Sequence, residues 1–268
     1  MSPLQPVCLI TGASAGIGAA LARVFARNGH ALALTARREA QLSALADEIA
    51  ASGHARPHVI AADLGQPDGA VRLTEALRAA GLEPSIVVNN AGFGMLGDAA
   101  DLDRDQQLAI VDLNIRAMTD LSLRWLEPIK RHRGGILNVA SIASFVPGPG
   151  MAVYHASKAF VLSFTEAMHE ELKEDGVKVC ALCPGPVDTE FNDRAGMPHD
   201  YFPAFLNRSA ERVARDGYQG FMAGHRVVVP GRPNRIFTLL PRLLPRGLML
   251  AMVGRRWKRQ AAAVDDPA

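Results

Sequence analysis

Cysteine, aromatic side chains and an excess of charge of one sign are all scarce in this sequence. Its 268 residues include three cysteines and 6% aromatic residues, and the formal net charge is only +2. Three cysteines cannot build the disulfide framework of a small secreted scaffold, and so small a net charge gives no reason to expect nucleic-acid binding. Because 49% of the residues are hydrophobic, the chain can form a sizeable core, which excludes a disordered or fibrous protein.

Long hydrophobic runs are also missing, and the pattern gives no reason to expect a secretory leader. No stretch of about 18 uncharged apolar residues occurs, as a transmembrane helix would require. The nearest candidate, residues 236–253, is interrupted by Pro241, Arg242, Pro245 and Arg246. The apolar run 7–10 enters a glycine-rich turn with no basic flank before it, which is typical of a strand rather than a signal peptide. We therefore expect a cytoplasmic, reducing location.

Cys180 and Cys183 have the C-x-x-C spacing that occurs in metal and redox sites. They lie in the apolar run 177–183, and positions three apart on a strand point to opposite faces. No second pair of cysteine or histidine residues stands nearby in the sequence to complete a metal site. We interpret both residues as buried strand cysteines and predict no metal.

Short apolar runs alternate with helical patterns up to about position 229. Each run has four to seven residues without polar alternation, as expected for strands buried on both faces of a parallel sheet. The seven predicted strands are 7–11, 31–35, 58–61, 86–89, 135–139, 177–183 and 226–229. Amphipathic helical patterns such as 17–28 and 38–51 lie between them. The alternation predicts an α/β fold, a Rossmann-type doubly wound parallel sheet flanked by helices, in one domain over residues 1–230.

A glycine-rich turn joins the first predicted strand to the first predicted helix. The segment from Thr11 to Gly18 has glycines at positions 12, 16 and 18. Glycine permits a tight turn and lets backbone N–H groups approach a pyrophosphate at a helix N-terminus. The spacing differs from the general G-x-G-x-x-G fingerprint, and glycines also occur in turns for conformational reasons alone. The position between a strand and a helix is what favours a dinucleotide site.

The end of the second predicted strand bears on the choice of dinucleotide. Sites that prefer NAD usually place a carboxylate there to bind the ribose 2′-hydroxyl, whereas this chain has Arg37 and Arg38. A guanidinium suits a 2′-phosphate because it is planar and always charged. The alternative is that both arginines are solvated residues at the start of a helix, although the helix dipole disfavours cations there. The sequence favours NADP(H), with NAD(H) left open.

Tyr154 and Lys158 are four residues apart and so share one face of a predicted helix. A tyrosine with an ordinary pKa of about 10 is a weak base at neutral pH, so a neighbouring cation is needed to favour its phenolate. Ser141 follows the predicted strand 135–139, at the carboxyl end of the sheet where ligands of open α/β sheets bind. Taken singly, each residue also has an ordinary structural interpretation, such as a turn or a surface position.

Taken together and in this order, the motifs resemble the short-chain dehydrogenase/reductase family over about residues 7–190. The segments that carry the resemblance are Thr11 to Gly18, Asp63-Leu64, Asn89 to Gly92, Asn114, Ser141, Tyr154-x-x-x-Lys158 and Pro184 to Thr189. The resemblance implies an oxidoreductase that interconverts a carbonyl compound and a secondary alcohol with a nicotinamide cofactor. It also implies a homodimer or homotetramer formed through two long helices, here about 103–131 and 151–173.

The resemblance also implies roles for individual residues. Tyr154 would be the acid/base, Lys158 would lower the pKa of Tyr154 and hold the nicotinamide ribose, and Ser141 would hydrogen-bond the substrate oxygen. Asn114 would hold a water that links Lys158 to solvent. On the adenosine side, the cofactor would contact Gly12, Ser14, Gly16, Ile17, Gly18, Arg37, Arg38, Asp63, Leu64 and Asn90. Along the nicotinamide and its phosphate it would contact Pro184, Gly185, Val187 and Thr189.

A lid over the substrate is expected at residues 190–206, which contain Phe191, Met197, Tyr201, Phe202, Phe205 and Leu206. With Phe93, Phe145 and residues 147–151 expected near the same cleft, the composition favours an apolar or lipid-like substrate. The same side chains would equally serve only to pack the lid. A nucleotide-binding regulatory or scaffold protein and an NAD-dependent alcohol dehydrogenase of the same fold are alternatives. Because all four expected catalytic residues are present, an enzyme is favoured.

The C-terminal extension, residues 231–268, differs from the rest of the chain in charge. From Arg226 onward there are nine Lys/Arg and two Asp/Glu, whereas residues 1–225 hold 20 and 25. Apolar segments run between these cations and are interrupted by Pro241 and Pro245. The pattern suits a short amphipathic element at a membrane surface. The alternative, equally open, is a pair of helices that covers the substrate cleft or a subunit interface.

Overall fold

A seven-stranded parallel sheet is the centre of the computed structural model, which describes residues 4–198 and 201–265. The strands are β1 Gln5–Thr11, β2 Leu32–Ala36, β3 His58–Ala61, β4 Leu82–Asn89, β5 Gly135–Val139, β6 Lys178–Leu182 and β7 Val227–Val228. Their order across the sheet is β3-β2-β1-β4-β5-β6-β7, and all neighbours are parallel. The predicted doubly wound Rossmann-type sheet is confirmed, with a strand at each of the seven predicted places.

Helices cover both faces of this sheet. One face packs against α1 Gly16–Arg27, α2 Glu39–Ala51 and α9 Ala210–Met222. The other packs against α3 Gly69–Ala79, α5 Met118–Arg124, α6 Leu126–Arg131 and α7 Ala152–Glu171. The remaining helices are α4 Arg104–Val111, α8 Glu190–Ala195, α10 Arg232–Leu243 and α11 Arg246–Asp265. The layers leave the carboxyl ends of the strands open as a cleft, which is where the predicted site residues are gathered.

Burial on both faces explains why the strands are continuously apolar. In β1, Cys8 and Ile10 point into the core beneath α1, whereas Val7 and Leu9 point into the opposite core. Removing one such aliphatic side chain from water contributes about 1.5–3 kcal/mol, so neither face tolerates polar alternation. The predicted burial of the C-x-x-C pair is also confirmed, because Cys180 and Cys183 are buried free thiols.

Strand β4 begins at Leu82, earlier than the predicted start at position 86. Its first residues, Glu83 among them, break the apolar pattern, but they pair with Gln5 and Pro6 at the start of β1. The Glu83 side chain is almost buried and lies 2.6 Å from Arg131 and 2.7 Å from His132. A carboxylate that is paired with cationic side chains can lie in a buried strand, although the sequence pattern alone indicates a later strand start.

The long helix predicted over 103–131 is present as a run of helical segments with an interruption, and the one predicted over 151–173 is α7. The first region consists of α4, a π-helical segment Asp112–Ala117, α5 and α6. The chain leaves helical geometry at Trp125, where φ is −107° and ψ is 14°. In an unbroken helix the ring of Pro128 would clash with the carbonyl of Arg124, and this accounts for the break.

Beyond β7 the chain forms two helices, α10 and α11, with Pro241 near the end of the first and Pro245 between them. Asn234 and Thr238 of α10 and Met249 of α11 are buried, so both helices have an inner side. Of the helices that the structure describes, none combines the length and the apolar composition needed to span a bilayer.

Candidate active site

The glycine-rich turn is held rigidly against the end of β4. Asn90 Nδ2 donates to the carbonyl oxygens of Thr11 at 2.9 Å and Gly12 at 3.2 Å, and Thr11 Oγ1 accepts from the N–H groups of Asn90 and Ala91 at 3.0 Å. A Cβ added to Gly18 would lie 2.3 Å from the Gly12 carbonyl oxygen, so only glycine fits. The turn lies between β1 and β4, where the strand order reverses, as in other doubly wound folds that bind ligands.

The residues around this turn fit a dinucleotide. Helix α1 begins without a side-chain cap and without an acidic residue in its first turn, so its N-terminal N–H groups, which include Gly16 and Ile17, suit a phosphate. Across the gap, a Cβ on Gly16 would lie 3.2 Å from Thr189 Cγ2. The turn from Pro184 to Thr189, which includes Gly185 and the buried Val187, therefore faces the glycine turn.

Asp63 and Leu64, for which a contact with adenine is predicted, follow β3 at the same edge of the sheet. Asp63 Oδ1 accepts a hydrogen bond of 3.0 Å from the Gly65 N–H, and Leu64 is buried. The carboxylate thus fixes its own loop, and the leucine packs into the core cluster that includes Val7 and Leu9.

The two arginines after β2 occupy different environments. Arg37 is exposed, whereas Arg38 reaches back to the glycine turn and donates to Ser14 Oγ through Nη2 at 3.1 Å and Nε at 3.3 Å. Arg38 Nη1 also lies 2.9 Å from Glu190 Oε2, at the start of α8. The structure thus brings together Ser14 and Arg38, both predicted cofactor contacts, and adds a carboxylate from the lid that the sequence did not indicate.

Tyr154 lies on α7 in apolar surroundings. It packs with Leu96, Met151 and Phe191, and its ring centroid is 5.4 Å from that of Phe191. Removal of water raises the pKa of Tyr154 to about 12, and a hydrogen bond with Ser141 offsets only part of that increase. The hydroxyl is therefore protonated at neutral pH, which is the form needed to donate a proton.

Lys158 is 6% exposed, and its Nζ donates to the Val139 carbonyl oxygen at 2.8 Å. Burial lowers the pKa of Lys158 to about 8. Its Nζ lies 5.8 Å from the centroid of the Tyr154 ring. Burial is the larger influence on the pKa of Tyr154, and the Lys158 ammonium group is hydrogen-bonded to Val139.

Asn114 lies in the π-helical segment and is 2% exposed. Its Oδ1 accepts from Phe93 N at 3.1 Å, and its Nδ2 donates to Phe93 O and to Ser157 Oγ at 3.0 Å each. A Cβ on Gly92 would be 2.8 Å from Asn114 Oδ1 and 3.4 Å from Lys158 Nζ. Asn114 and Lys158 thus face each other across a residue without a side chain, and the π-helical turn supports this placement, as such turns often do at functional sites.

Sequence reasoning missed Ser157 and His155. Ser157 Oγ donates to the Tyr154 carbonyl oxygen at 2.7 Å and so joins α7 to Asn114. His155 Nδ1 lies 2.8 Å from the Val146 carbonyl oxygen, and a Cβ on Gly148 would lie 2.1 Å from the His155 ring. His155 therefore fixes the loop before α7, and only the spacing of Ser157 from Tyr154 on one helix face offered a sequence signal.

Helix α8 closes the substrate side of the cleft. The Leu96 N–H donates to the Ala195 carbonyl oxygen at 2.8 Å, so the lid is tied by backbone to the loop after β4. Met197 and Leu206 are buried as a lid predicts, whereas Phe205 is 64% exposed and faces away. Residues 199–200 of the predicted lid lie outside the described residues.

Of the other residues expected near this cleft, Phe93 and Met151 lie there and Phe145 does not. Met151 and the backbone of Phe93 and Gly94 lie beside Tyr154 and Asn114, and a Cβ on Gly94 would be 2.8 Å from Tyr154 Cδ2. Phe145 instead packs in a neighbouring cluster with Ile142. The wall next to Tyr154 is thus made by Leu96, Met151 and Phe191.

Comparison with known proteins agrees with this geometry. A family model described as short chain dehydrogenase matches residues 6–198. Sulfoacetaldehyde reductase 2 from Chromohalobacter salexigens is 36% identical over 191 residues, which cover 70% of this chain and 75% of that protein. The chain belongs to the short-chain dehydrogenase/reductase family and is an oxidoreductase of that class.

Solved structures that contain a nicotinamide cofactor share the fold. A short-chain dehydrogenase from Sphingobium yanoikuyae in complex with NADPH has a TM-score of 0.75 at 32% identity, covering 98% of this chain and 96% of that chain. The 3-ketoacyl-(acyl-carrier-protein) reductase from Brucella melitensis complexed with NADH has a TM-score of 0.74 at 27% identity, covering 85% and 96%. Similar proteins thus bind either cofactor, and the choice in this chain has to be argued from its own residues.

Proposed function

We propose that this protein is an NADP(H)-dependent reductase or dehydrogenase that interconverts a carbonyl compound and a secondary alcohol, with Tyr154 as the acid/base. The observation that carries the proposal is a tyrosine in apolar surroundings, hydrogen-bonded to Ser141, with Lys158 on the same helix. The bound nicotinamide would supply or accept the hydride. In the reductive direction Tyr154 gives its proton to the carbonyl oxygen, while Ser141 hydrogen-bonds the same oxygen as negative charge develops on it.

Lys158 and Asn114 support this proton transfer. When Tyr154 loses its proton, the buried Lys158 ammonium group stabilises the phenolate that remains. Asn114 approaches Lys158 across Gly92 and would hold a water through which the proton is replaced from solvent. Its side chain is fixed by three hydrogen bonds to Phe93 and Ser157, so it can position such a water without rearranging.

The preference for NADP(H) is proposed from the surroundings of Arg38. Its guanidinium lies on Ser14 of the glycine turn and already binds an anion, the Glu190 carboxylate. A 2′-phosphate would offer the same guanidinium a stronger acceptor than a ribose hydroxyl can. The exposed Arg37 lies beside it at the end of β2 and is available to the same phosphate.

An apolar or lipid-like substrate is proposed from the wall around Tyr154. The side chains that pack on this tyrosine are Leu96, Met151 and Phe191. In the described part of the cleft, Lys158 is the one cation beside the catalytic tyrosine, and its ammonium group is bonded to Val139. A carbonyl group with hydrophobic substituents would replace the contact between Phe191 and Tyr154 at little cost in desolvation.

Self-association through α4, α5 and α7 remains a proposal. These helices expose Leu108, Val111, Leu123 and Phe160, and Phe160 stacks on Phe164 with ring centroids 5.9 Å apart. Exposed apolar side chains of this size on neighbouring helices fit an interface between copies of the chain. Sedimentation equilibrium would give the mass of a dimer or tetramer, and a monomer at micromolar concentration would contradict this proposal.

The test of the enzymatic proposal is NADPH oxidation with carbonyl compounds graded in size and polarity. We expect turnover that rises with apolar substituents and a higher kcat/KM with NADPH than with NADH. A preference for small polar ketones or sugars would contradict the substrate class. A protein that binds NADPH but turns over no carbonyl or alcohol would be the regulatory alternative.

A further inference from the structure

The outward sides of α10 and α11 are apolar, whereas helices on a protein surface usually turn apolar residues inward. Ile236 is 63% exposed and Leu239 is 49% exposed on α10. On α11, the exposed apolar residues are Leu248, Leu250 and Met252, at 49%, 41% and 53%. The inner sides are already occupied, because Asn234, Thr238 and Met249 are buried. The exposed apolar side chains therefore do not belong to the core of this chain. Only a binding partner could remove them from water.

Basic side chains lie on the same outward sides. Arg232, Arg235, Ile236 and Leu239 are spaced as one face of α10, and Arg232 and Arg235 are exposed. Leu248, Met252 and Arg255 are spaced as one face of α11, and Arg255 is exposed. We call these residues, together with Leu250, the tail face.

The charge of this region points to an anionic occupant. No acidic residue occurs between Asp216 and Asp265, whereas Lys and Arg recur throughout that stretch. A two-fold symmetric dimer through the tail face would bring the arginines of both copies into one interface, with no carboxylate on the face to neutralise them. Apolar side chains interspersed with arginine fit instead the surface of a bilayer that contains anionic lipid.

The tail is joined firmly to the loops around the active site. Trp257 Nε1 donates to Asp98 Oδ1 at 2.8 Å, and a Cβ on Gly150 would lie 2.5 Å from the Trp257 ring. Asn234 Nδ2 donates to the carbonyl oxygens of Leu206 and Pro230 at 3.1 and 3.0 Å, so α10 also holds the end of the lid. A partner that binds the tail face would therefore also fix the orientation of the cleft relative to that partner.

We propose that the tail face binds the surface of an anionic lipid bilayer, with its apolar side chains in the interface and Arg232, Arg235 and Arg255 on the lipid headgroups. The helices lie on the membrane and do not cross it. Docking in this way holds the substrate cleft near the source of an apolar substrate. The binding itself does not depend on whether the enzyme uses NADPH or on which carbonyl it reduces.

The test is co-sedimentation of the full-length protein with phosphatidylcholine vesicles that contain or lack phosphatidylserine. We expect binding to the anionic vesicles, little binding to the neutral ones, and a decrease with added salt. The double variant Arg232→Glu/Arg235→Glu should reduce the partition coefficient roughly thirtyfold or more. The matched control is Arg56→Glu/Arg72→Glu, whose side chains in the catalytic domain are 51% and 59% exposed, and it should bind nearly as well as the natural sequence.

A second variant separates the membrane from a second copy of the chain. Ile236→Ser/Leu248→Ser should weaken vesicle binding and leave the mass from sedimentation equilibrium unchanged. No binding of the full-length protein to anionic vesicles, or an equal loss in the Arg56→Glu/Arg72→Glu control, would overturn the proposal. A fall in oligomeric mass in the serine variant without vesicle binding would also overturn it, and would assign the tail face to self-association.

Discussion

The cofactor side and the substrate side of the cleft are built by different means. The cofactor side is formed mainly by the backbone of the glycine-rich turn. Asn90 and Thr11 fix this turn, and Gly18 within it has no space for a side chain. On the substrate side, side chains from distant segments, such as Leu96 and Phe191, meet over Tyr154. A backbone-built site follows from a local motif, whereas a wall of side chains follows only from tertiary packing.

The largest expected effect concerns the substrate side alone. Tyr154→Phe removes the proton donor and should lower kcat by roughly 10²- to 10⁴-fold. Because the glycine turn is untouched, NADPH affinity measured by fluorescence titration should stay within about twofold. The control is Tyr218→Phe, which loses a 3.1 Å contact with His30 far from the cleft and should keep its activity. Substantial turnover by Tyr154→Phe would show that Tyr154 is not the acid/base.

Gly18→Ala should distort the glycine-rich turn and weaken cofactor binding. The added Cβ would lie 2.3 Å from the Gly12 oxygen and 2.4 Å from Asn90 Nδ2, so the turn has to shift. Overpacking of this kind costs about 1–3 kcal/mol, which corresponds to a roughly tenfold to hundredfold loss of NADPH affinity if the strain falls on the bound state. Gly247→Ala is the control, since its Cβ would meet nothing within 4 Å. Equal NADPH titrations for the two variants would contradict the tight turn.

Arg38 and Glu190 connect the two sides of the cleft. Substitutions of these two residues should change NADPH affinity in opposite directions. Arg38→Ala removes charged hydrogen bonds to a 2′-phosphate and should weaken NADPH binding roughly tenfold, with little change for NADH. Glu190→Gln removes a competing carboxylate and should strengthen NADPH binding by about twofold to fivefold, since this ion pair is partly solvated. Titrations that show equal effects on NADPH and NADH would place the 2′-phosphate elsewhere.

The smallest effect should come from the lid. Phe191→Ala removes the ring that packs 5.4 Å from Tyr154 and enlarges the space above the hydroxyl. We expect a severalfold shift of kcat/KM towards bulkier carbonyl compounds. Phe205→Ala, in the same lid but 64% exposed, should leave the substrate preference unchanged. A matching shift in both variants would mean that the lid acts through its mobility and not through this contact.

Features set by local sequence could be predicted, and features set by distant pairs could not. The apolar runs placed the seven strands correctly, and the glycine turn lies between β1 and α1, where its position in the sequence indicated. The π-helical segment around Asn114 has the composition of an ordinary helix, so nothing local marks it. The contact between Arg38 and Glu190 joins residues 152 positions apart in the chain.

The interior of the sheet gives a further example of such distant pairs. Asn89 on β4 donates to Asn138 on β5 at 2.8 Å, and Asn138 donates to Thr165 on α7 at 2.9 Å. Each residue read singly is a polar interruption in an apolar segment. Only the register that pairs Asn89 with Asn138 shows that the Asn89 amide nitrogen has the Asn138 oxygen as its acceptor.

The central claim is that a protonated Tyr154 works beside a charged, buried Lys158, and the pH dependence of carbonyl reduction tests it most directly. The pKa of Lys158 is lowered to about 8 by burial, so its charge is present below that pH and lost above it. We predict that kcat/KM for reduction falls about tenfold per pH unit above pH 8. In Lys158→Arg, whose guanidinium does not titrate in this range, the profile should be flat, although the rate is lower. A natural enzyme whose rate is constant up to pH 10, or an equal decline in Lys158→Arg, would contradict the account.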